Sequence, residues 1–191
     1  MPRAILNNAM SQSYGVKLDF SFFDTDMCQR LDQLAHAVIA GYDLPGYEFT
    51  DHTKIRFYND AILHIPELAA LRDKCKATIV GVPIMGFVPP YSVMGVHRDG
   101  YGCSCKLMLP IWPETPTSLM FYEDEMAPAV FALDTIRFQP VLFNGDALHG
   151  GIDTGNAWRT NIQIMFGEPY DQILEMIRGG NLFNDFTCSV I

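Results

Sequence analysis

Val96-His97-Arg98-Asp99-Gly100 ends an apolar run, Phe87–His97, and opens into a glycine-containing turn. Residues two apart in an extended chain point to the same side. His97 and Asp99 therefore offer an imidazole nitrogen and a carboxylate oxygen to one point, which is half of a facial metal site. Alone, such a triplet is equally well a surface turn. Fifty residues after Asp99, the strand-like run Val141-Leu142-Phe143 leads through Asn144-Gly145-Asp146 to His149 and the pair Gly150-Gly151. A ligand from this second strand completes two histidines and one carboxylate.

That donor set suits an octahedral divalent ion held on one face, with three positions open for a bidentate organic acid and for dioxygen. Ten residues beyond His149, Arg159 opens the run Arg159-Thr160-Asn161-Ile162-Gln163-Ile164-Met165-Phe166, in which polar and apolar side chains alternate as in a half-buried strand. An arginine at the start of a core strand is costly to desolvate unless it holds a partner. Its planar guanidinium grips a carboxylate through two parallel hydrogen bonds.

In this order and spacing His97, Asp99, His149 and Arg159 resemble the Fe(II)/2-oxoglutarate-dependent oxygenase superfamily, over about residues 85–167. The resemblance implies a double-stranded β-helix, or jelly roll, with His97, Asp99 and His149 as iron ligands and catalytic centre. It implies Arg159 as the anchor of the 5-carboxylate of 2-oxoglutarate, with dioxygen as the third reactant. In such enzymes one oxygen atom goes to succinate and an unactivated C–H bond is oxidised. Some members carry Ser or Thr two residues after the arginine; here Asn161 stands there, an amide donor able to take that role. Prolyl-hydroxylase-like members often touch 2-oxoglutarate with a Tyr on the strand before the HxD string, and Tyr91 is the candidate here. Because Asp99 keeps a carboxylate on the ion, hydroxylation is favoured over halogenation.

Outward from this string the chain reads as one domain, 1–191: helices and supporting strands over 1–80, the jelly-roll core over 81–167 and a tail over 168–191. The expected class is mainly β with flanking helices. An N-cap signal at Asp24, Thr25 and Asp26 opens a helix over about 25–40, closed by Gly41; Pro66 opens another over about 66–77. Expected strands are Thr53–Phe57, Thr78–Val82, Phe87–His97, Ser104–Ile111, Ser118–Tyr122, Ala129–Leu133, Thr135–Pro140, Val141–Phe143 and Thr160–Phe166, with a short helix over Tyr170–Ile177. Residues 1–18 give no clear element.

With 49% hydrophobic and 18% charged residues the chain can bury a sizeable core, which excludes disorder as its main state. Thirteen Lys and Arg against 22 Asp and Glu give a net charge of -9, so a nucleic acid or an anionic membrane is not an expected partner. Five scattered cysteines without a CxxC pair read as reduced thiols, Cys103 and Cys105 as two half-buried thiols on one face of a strand. With no signal-peptide pattern and no apolar run near the roughly 18 residues of a spanning helix, the expected location is cytoplasmic.

His36, His52 and His64 lack a ligand partner at useful spacing and read as solvated or structural. Lys106 sits on an apolar strand and reads as the partner of an internal carboxylate or of an acidic substrate. Arg98 and Tyr101 border the HxD string, and Glu123-Asp124-Glu125 reads as a solvated turn. The expected partners are 2-oxoglutarate and an unidentified small-molecule or peptidyl substrate, such as a free amino acid or an exposed protein side chain. Two other readings fit the same ligands: a cupin-like metalloprotein with isomerase, lyase or binding activity, and a non-catalytic jelly-roll module.

Overall fold

A computed structural model gives the structure of residues 13–41, 48–50, 53–54, 56–59, 61–100, 102–150, 152–153 and 156–191. His52 and Tyr101 lie outside the described residues. The largest element is a seven-stranded antiparallel sheet. It is built from β1 (Gly15–Phe20), β4 (Arg56–Tyr58), β5 (Ile84–Val88), β7 (Cys105–Trp112), β10 (Val141–Asn144), β13 (Arg159–Phe166) and β14 (Cys188–Val190), in the order β14-β1-β10-β7-β13-β5-β4. A smaller sheet faces it, with β8 (Thr117–Tyr122) between β9 (Phe131–Thr135) and β11 (Leu148–Gly150). Two short pairs complete the strands: β6 (Val93–Met94) with β12 (Ile152–Asp153), and β2 (Glu48–Thr50) with β3 (Thr53–Lys54).

The two-residue period of the strands decides what each face of the large sheet meets. From β7, Cys105, Leu107, Leu109 and Ile111 enter one core; from β10, Leu142 does; from β13, Ile162, Ile164 and Phe166 do. Helices α1 (Thr25–Ala40), α3 (Pro66–Lys74) and α4 (Tyr170–Arg178) cover that face with Leu31, Leu68, Leu71, Ile173 and Ile177. The residues between them turn the other way. Met108, Val141 and Phe143 pack against Leu119, Phe121 and Leu133 of the small sheet in a second core. Lys106, Arg159, Asn161 and Gln163 share that second face but stand beyond the core, where it opens into a cavity.

Helix α1 begins as the sequence requires, with the Asp24 carboxylate accepting from the Met27 N–H at 2.8 Å. Other expectations are corrected. Helix α3 stops at Lys74, and a one-turn helix, α2 (Ala61–His64), precedes it. Thr78–Val82 forms only a single bridge, Ile79 to Phe166, because Gly81 at φ 73° and Pro83 end the pairing. The long strand Phe87–His97 is broken in two: Pro89 and Pro90 have no N–H to give a ladder, so β5 ends at Val88 and the chain turns through Tyr91 at φ 58°. Thr135–Pro140 is a turn after β9, with Phe138 at φ 63°. Strands β1, β2, β11, β12 and β14 had no expected counterpart.

Gly150 marks a close approach of the two strands of the site. Its φ is 140°, and a Cβ there would lie 2.3 Å from the Gly95 carbonyl oxygen. Both the conformation and the space require glycine. Gly150→Ala should therefore destabilise the fold by about 1–3 kcal/mol or more, measured by urea unfolding; wild-type stability would contradict the close approach.

Candidate metal centre

The site is built on backbone pairing before any side chain is considered. His97 and His149 form an isolated antiparallel bridge, in which each N–H donates to the other's carbonyl, at 2.8 and 2.9 Å. Directly opposed residues in such a pair send their side chains to the same face, and the imidazole centroids lie 4.5 Å apart. The pair is in register with β6 and β12 three residues further on, where Met94 opposes Ile152. Asp99 is held by its own tie across the same gap, its N–H donating to the Gly145 carbonyl at 2.9 Å. A side chain on Gly145 would meet Asp99 at 3.1 Å. The three candidate ligands thus hang on reciprocal contacts between two segments fifty residues apart in sequence.

Nitrogen and oxygen ligand atoms of His97, Asp99 and His149 all lie within 4.8 Å of one another. His149 Nε2 is 3.5 Å from Asp99 Oδ2, and His97 Nε2 is 3.7 Å from Asp99 Oδ1. Each imidazole is oriented from behind: Nδ1 of His97 donates to the Gly95 carbonyl and Nδ1 of His149 to the Ala147 carbonyl, both at 2.8 Å. A ring that carries its proton on Nδ1 presents the Nε2 lone pair to the site, as a metal ligand must. His149 is 2% exposed and packs against Phe121 and Phe143. Burial pushes its pKa down to about 4, against the opposing pull of the Asp99 charge. It is a neutral donor at neutral pH.

Arg159 lies on the wall of the same cavity, 4% exposed, at the head of β13. Its Nη1 has no hydrogen-bond partner, and neither has Asp99 Oδ2. Burial lowers the guanidinium pKa to about 10, which leaves it cationic at neutral pH. Two orphaned polar atoms, one anionic and one cationic, face one cavity. The fit is to a divalent ion at the triad and to a carboxylate at the arginine.

Asn161 follows Arg159 on the same face, its Oδ1 accepting from Gln163 Nε2 at 2.9 Å, and both line the cavity. Gln163 had a legible signal, since it stands two and four places after Asn161 and Arg159 on an alternating strand. Lys106 is paired as one sequence reading had it, with an internal carboxylate: its Nζ lies 2.6 Å from Asp99 Oδ1. Tyr91 is not brought to the others. It is 82% exposed in the turn that Pro89 and Pro90 create, away from the cavity wall. Arg98 is exposed at the rim and donates to the Asp146 carbonyl. His36 is bonded to the Asp32 carbonyl and His64 to the Tyr58 hydroxyl, both outside the cavity. Phe57, Val88, Met94, Met108, Leu119 and Phe143 form its apolar walls; these residues carry no motif, only the strand period.

No family model and no curated protein matches the sequence. Solved structures do match the fold. A prolyl hydroxylase from Trichoplax adhaerens, in complex with a peptide fragment of the hypoxia inducible factor oxygen degradation domain, is 14% identical at TM-score 0.59, covering 83% of this chain and 86% of its own. HygX from Streptomyces hygroscopicus, with nickel and 2-oxoglutarate bound, is 13% identical at TM-score 0.56, covering 88% and 87%. The α-ketoglutarate-dependent epimerase SnoN from nogalamycin biosynthesis is 10% identical at TM-score 0.56, covering 82% and 80%. The fold is the jelly roll that these structures share. At such identities the likeness is one of architecture, and the expected class, mainly β with flanking helices, stands.

The His149 burial has a measurable sign. Unfolded chain takes up a proton near pH 6.5 that the folded chain refuses until about pH 4. The metal-free fold should therefore lose stability as pH falls through that window, by on the order of 3 kcal/mol at its end, and gain nothing above it. Chemical unfolding at pH 7.5, 6 and 5 should show this slope, and His149→Gln should flatten it; an equal slope in the variant would contradict the buried neutral imidazole.

Proposed function

We propose that this protein is an Fe(II)- and 2-oxoglutarate-dependent dioxygenase that hydroxylates a second substrate, a small molecule such as an amino acid or an exposed protein side chain. The observation that supports it most is Arg159: a buried guanidinium with an unpartnered Nη1 on the wall of the cavity that holds His97, Asp99 and His149. A site for a metal alone has no use for it, and a buried cation without a partner costs several kcal/mol. The cupin-like and non-catalytic readings leave that cost without a return.

In this reading His97 and His149 hold the ion through Nε2 and Asp99 through its carboxylate, with Arg159 receiving the far carboxylate of the 2-oxo acid. Asn161 lends its amide to the same carboxylate. Bound iron supplies activation of dioxygen, with one oxygen atom leaving in succinate alongside carbon dioxide and the other entering a substrate C–H bond. The protein's own contribution is placement and dryness: Nδ1 tethers fix the imidazoles, and Met108, Leu119 and Phe143 keep water from the cavity wall. All five cysteines are free thiols, which supports a reducing, cytoplasmic setting. No helix among the described residues is long and apolar enough to cross a membrane.

Two variants separate the parts. Arg159→Met should leave Mn(II) affinity within a few-fold and weaken 2-oxoglutarate binding by roughly 100-fold or more, the loss that follows removal of one partner of a buried charge pair. Its ligand-free stability should not fall, since the guanidinium has an unmet bond there. Asp99→Ala should abolish binding of Mn(II) and, with it, succinate formation. Calorimetric titration with Mn(II) and then 2-oxoglutarate reads both; unchanged 2-oxoglutarate affinity in Arg159→Met would remove the main support for this function.

A further inference from the structure

The charges on the cavity wall do not balance once the proposed ion and 2-oxo acid are in place. Among the described residues that line it, Asp99 is the one carboxylate, whereas Lys106 and Arg159 are both cationic. His149 is neutral. The wall carries one positive charge in excess before anything binds. A divalent ion adds two positive charges and 2-oxoglutarate adds two negative ones, so the excess remains. It belongs to Lys106. In this structure Lys106 has Asp99 as its partner, at 2.6 Å, with side chains 13% and 8% exposed. An ion at the triad draws on that same single negative charge and leaves the ammonium under-compensated in a poorly solvated place.

The surroundings of Lys106 narrow what restores the balance. On the sheet it is directly opposed by Phe143 on β10 and Met165 on β13, and Met108 follows it on the same face of β7. Met94, Met108, Leu119 and Phe143 line the same cavity as the ammonium. One fixed cation set in apolar walls is the recognition pattern for an organic anion. We propose that the substrate oxidised at this site is a small organic acid: an apolar body carrying one carboxylate, which Lys106 receives. Such a partner places its C–H bonds beside the triad, because Lys106 and Asp99 are in direct contact. This inference rests on the proposed dioxygenase function and narrows it from the wider class of small molecules and protein side chains.

The test uses butanoate and butanamide, equal in shape and different in charge, on full-length protein loaded with Co(II), which does not turn over, and saturated with 2-oxoglutarate. The visible Co(II) absorption reports each addition. The expected result is a saturable change with butanoate, at least 10-fold weaker with butanamide. Lys106→Met should bind butanoate at least 10-fold more weakly while binding 2-oxoglutarate within about 3-fold of wild type, and Lys106→Arg should retain butanoate binding. Equal responses to the two probes in the wild-type protein would overturn the proposal, without recourse to any variant. So would unaltered butanoate binding in Lys106→Met, and a loss of 2-oxoglutarate affinity there would assign Lys106 to the cosubstrate instead. Failure of 2-oxoglutarate itself to alter the Co(II) spectrum would overturn the dioxygenase reading beneath it.

Discussion

Two backbone hydrogen bonds, exchanged between His97 and His149, are what the rest of the site depends on. They join the segment that leaves the broken strand after Pro89 and Pro90 to the segment that follows β10, and they turn a sequence separation of 52 residues into opposed imidazoles. Asp99 then falls into place through its tie to Gly145, and Gly150 lets the Gly95 backbone approach. The jelly roll serves this contact. Its large sheet packs against the helices through one core, and its small sheet carries β11, and so His149, across the second core.

The same sheet distributes stability and chemistry by strand parity. One face of β7, β10 and β13 is continuous aliphatic and aromatic packing. On the other face the packing stops at Met108, Val141 and Phe143, and the positions beyond hold Lys106, Arg159, Asn161 and Gln163. Lys106 pairs there with Asp99, and Asn161 with Gln163, while Asp99 Oδ2 and Arg159 Nη1 are left without a partner. A fold optimised for stability alone would fill these positions with apolar residues. Asp99, Arg159 and Gln163 each bring a buried atom with an unmet bond to the cavity lining, and the burial that keeps His149 neutral also makes it sensitive to acid.

Much of this was legible in the sequence, for identifiable reasons. His97, Asp99, His149 and Arg159 converge as their spacing implied, because the two-residue period of strands survives whatever surrounds it. Asp24 capped α1 through a local hydrogen bond that needs no tertiary context. What escaped depended on partners distant in the chain. β1 alternates Val16, Leu18 and Phe20 with Lys17 and Asp19, yet sits next to a polar stretch without pattern; its identity comes from pairing with β10 and β14. β11, β12 and β14 are too short to show a period, and exist because a neighbouring strand offers its free edge. Tyr91 was drawn toward the site by a strand that Pro89 and Pro90 interrupt. The pairing of Lys106 with Asp99 needed the register of β7 against β10, which no local motif encodes.

The proposed function requires one cavity to hold a divalent ion on His97, Asp99 and His149 and, beside it, a 2-oxo acid anchored at Arg159. Anaerobic titration of the metal-free protein with Fe(II) and then with 2-oxoglutarate tests it most directly. A weak visible charge-transfer band that grows with 2-oxoglutarate and saturates at one equivalent per chain is the result predicted. Iron binding with no band at any 2-oxoglutarate concentration, or no iron binding at all, would contradict it.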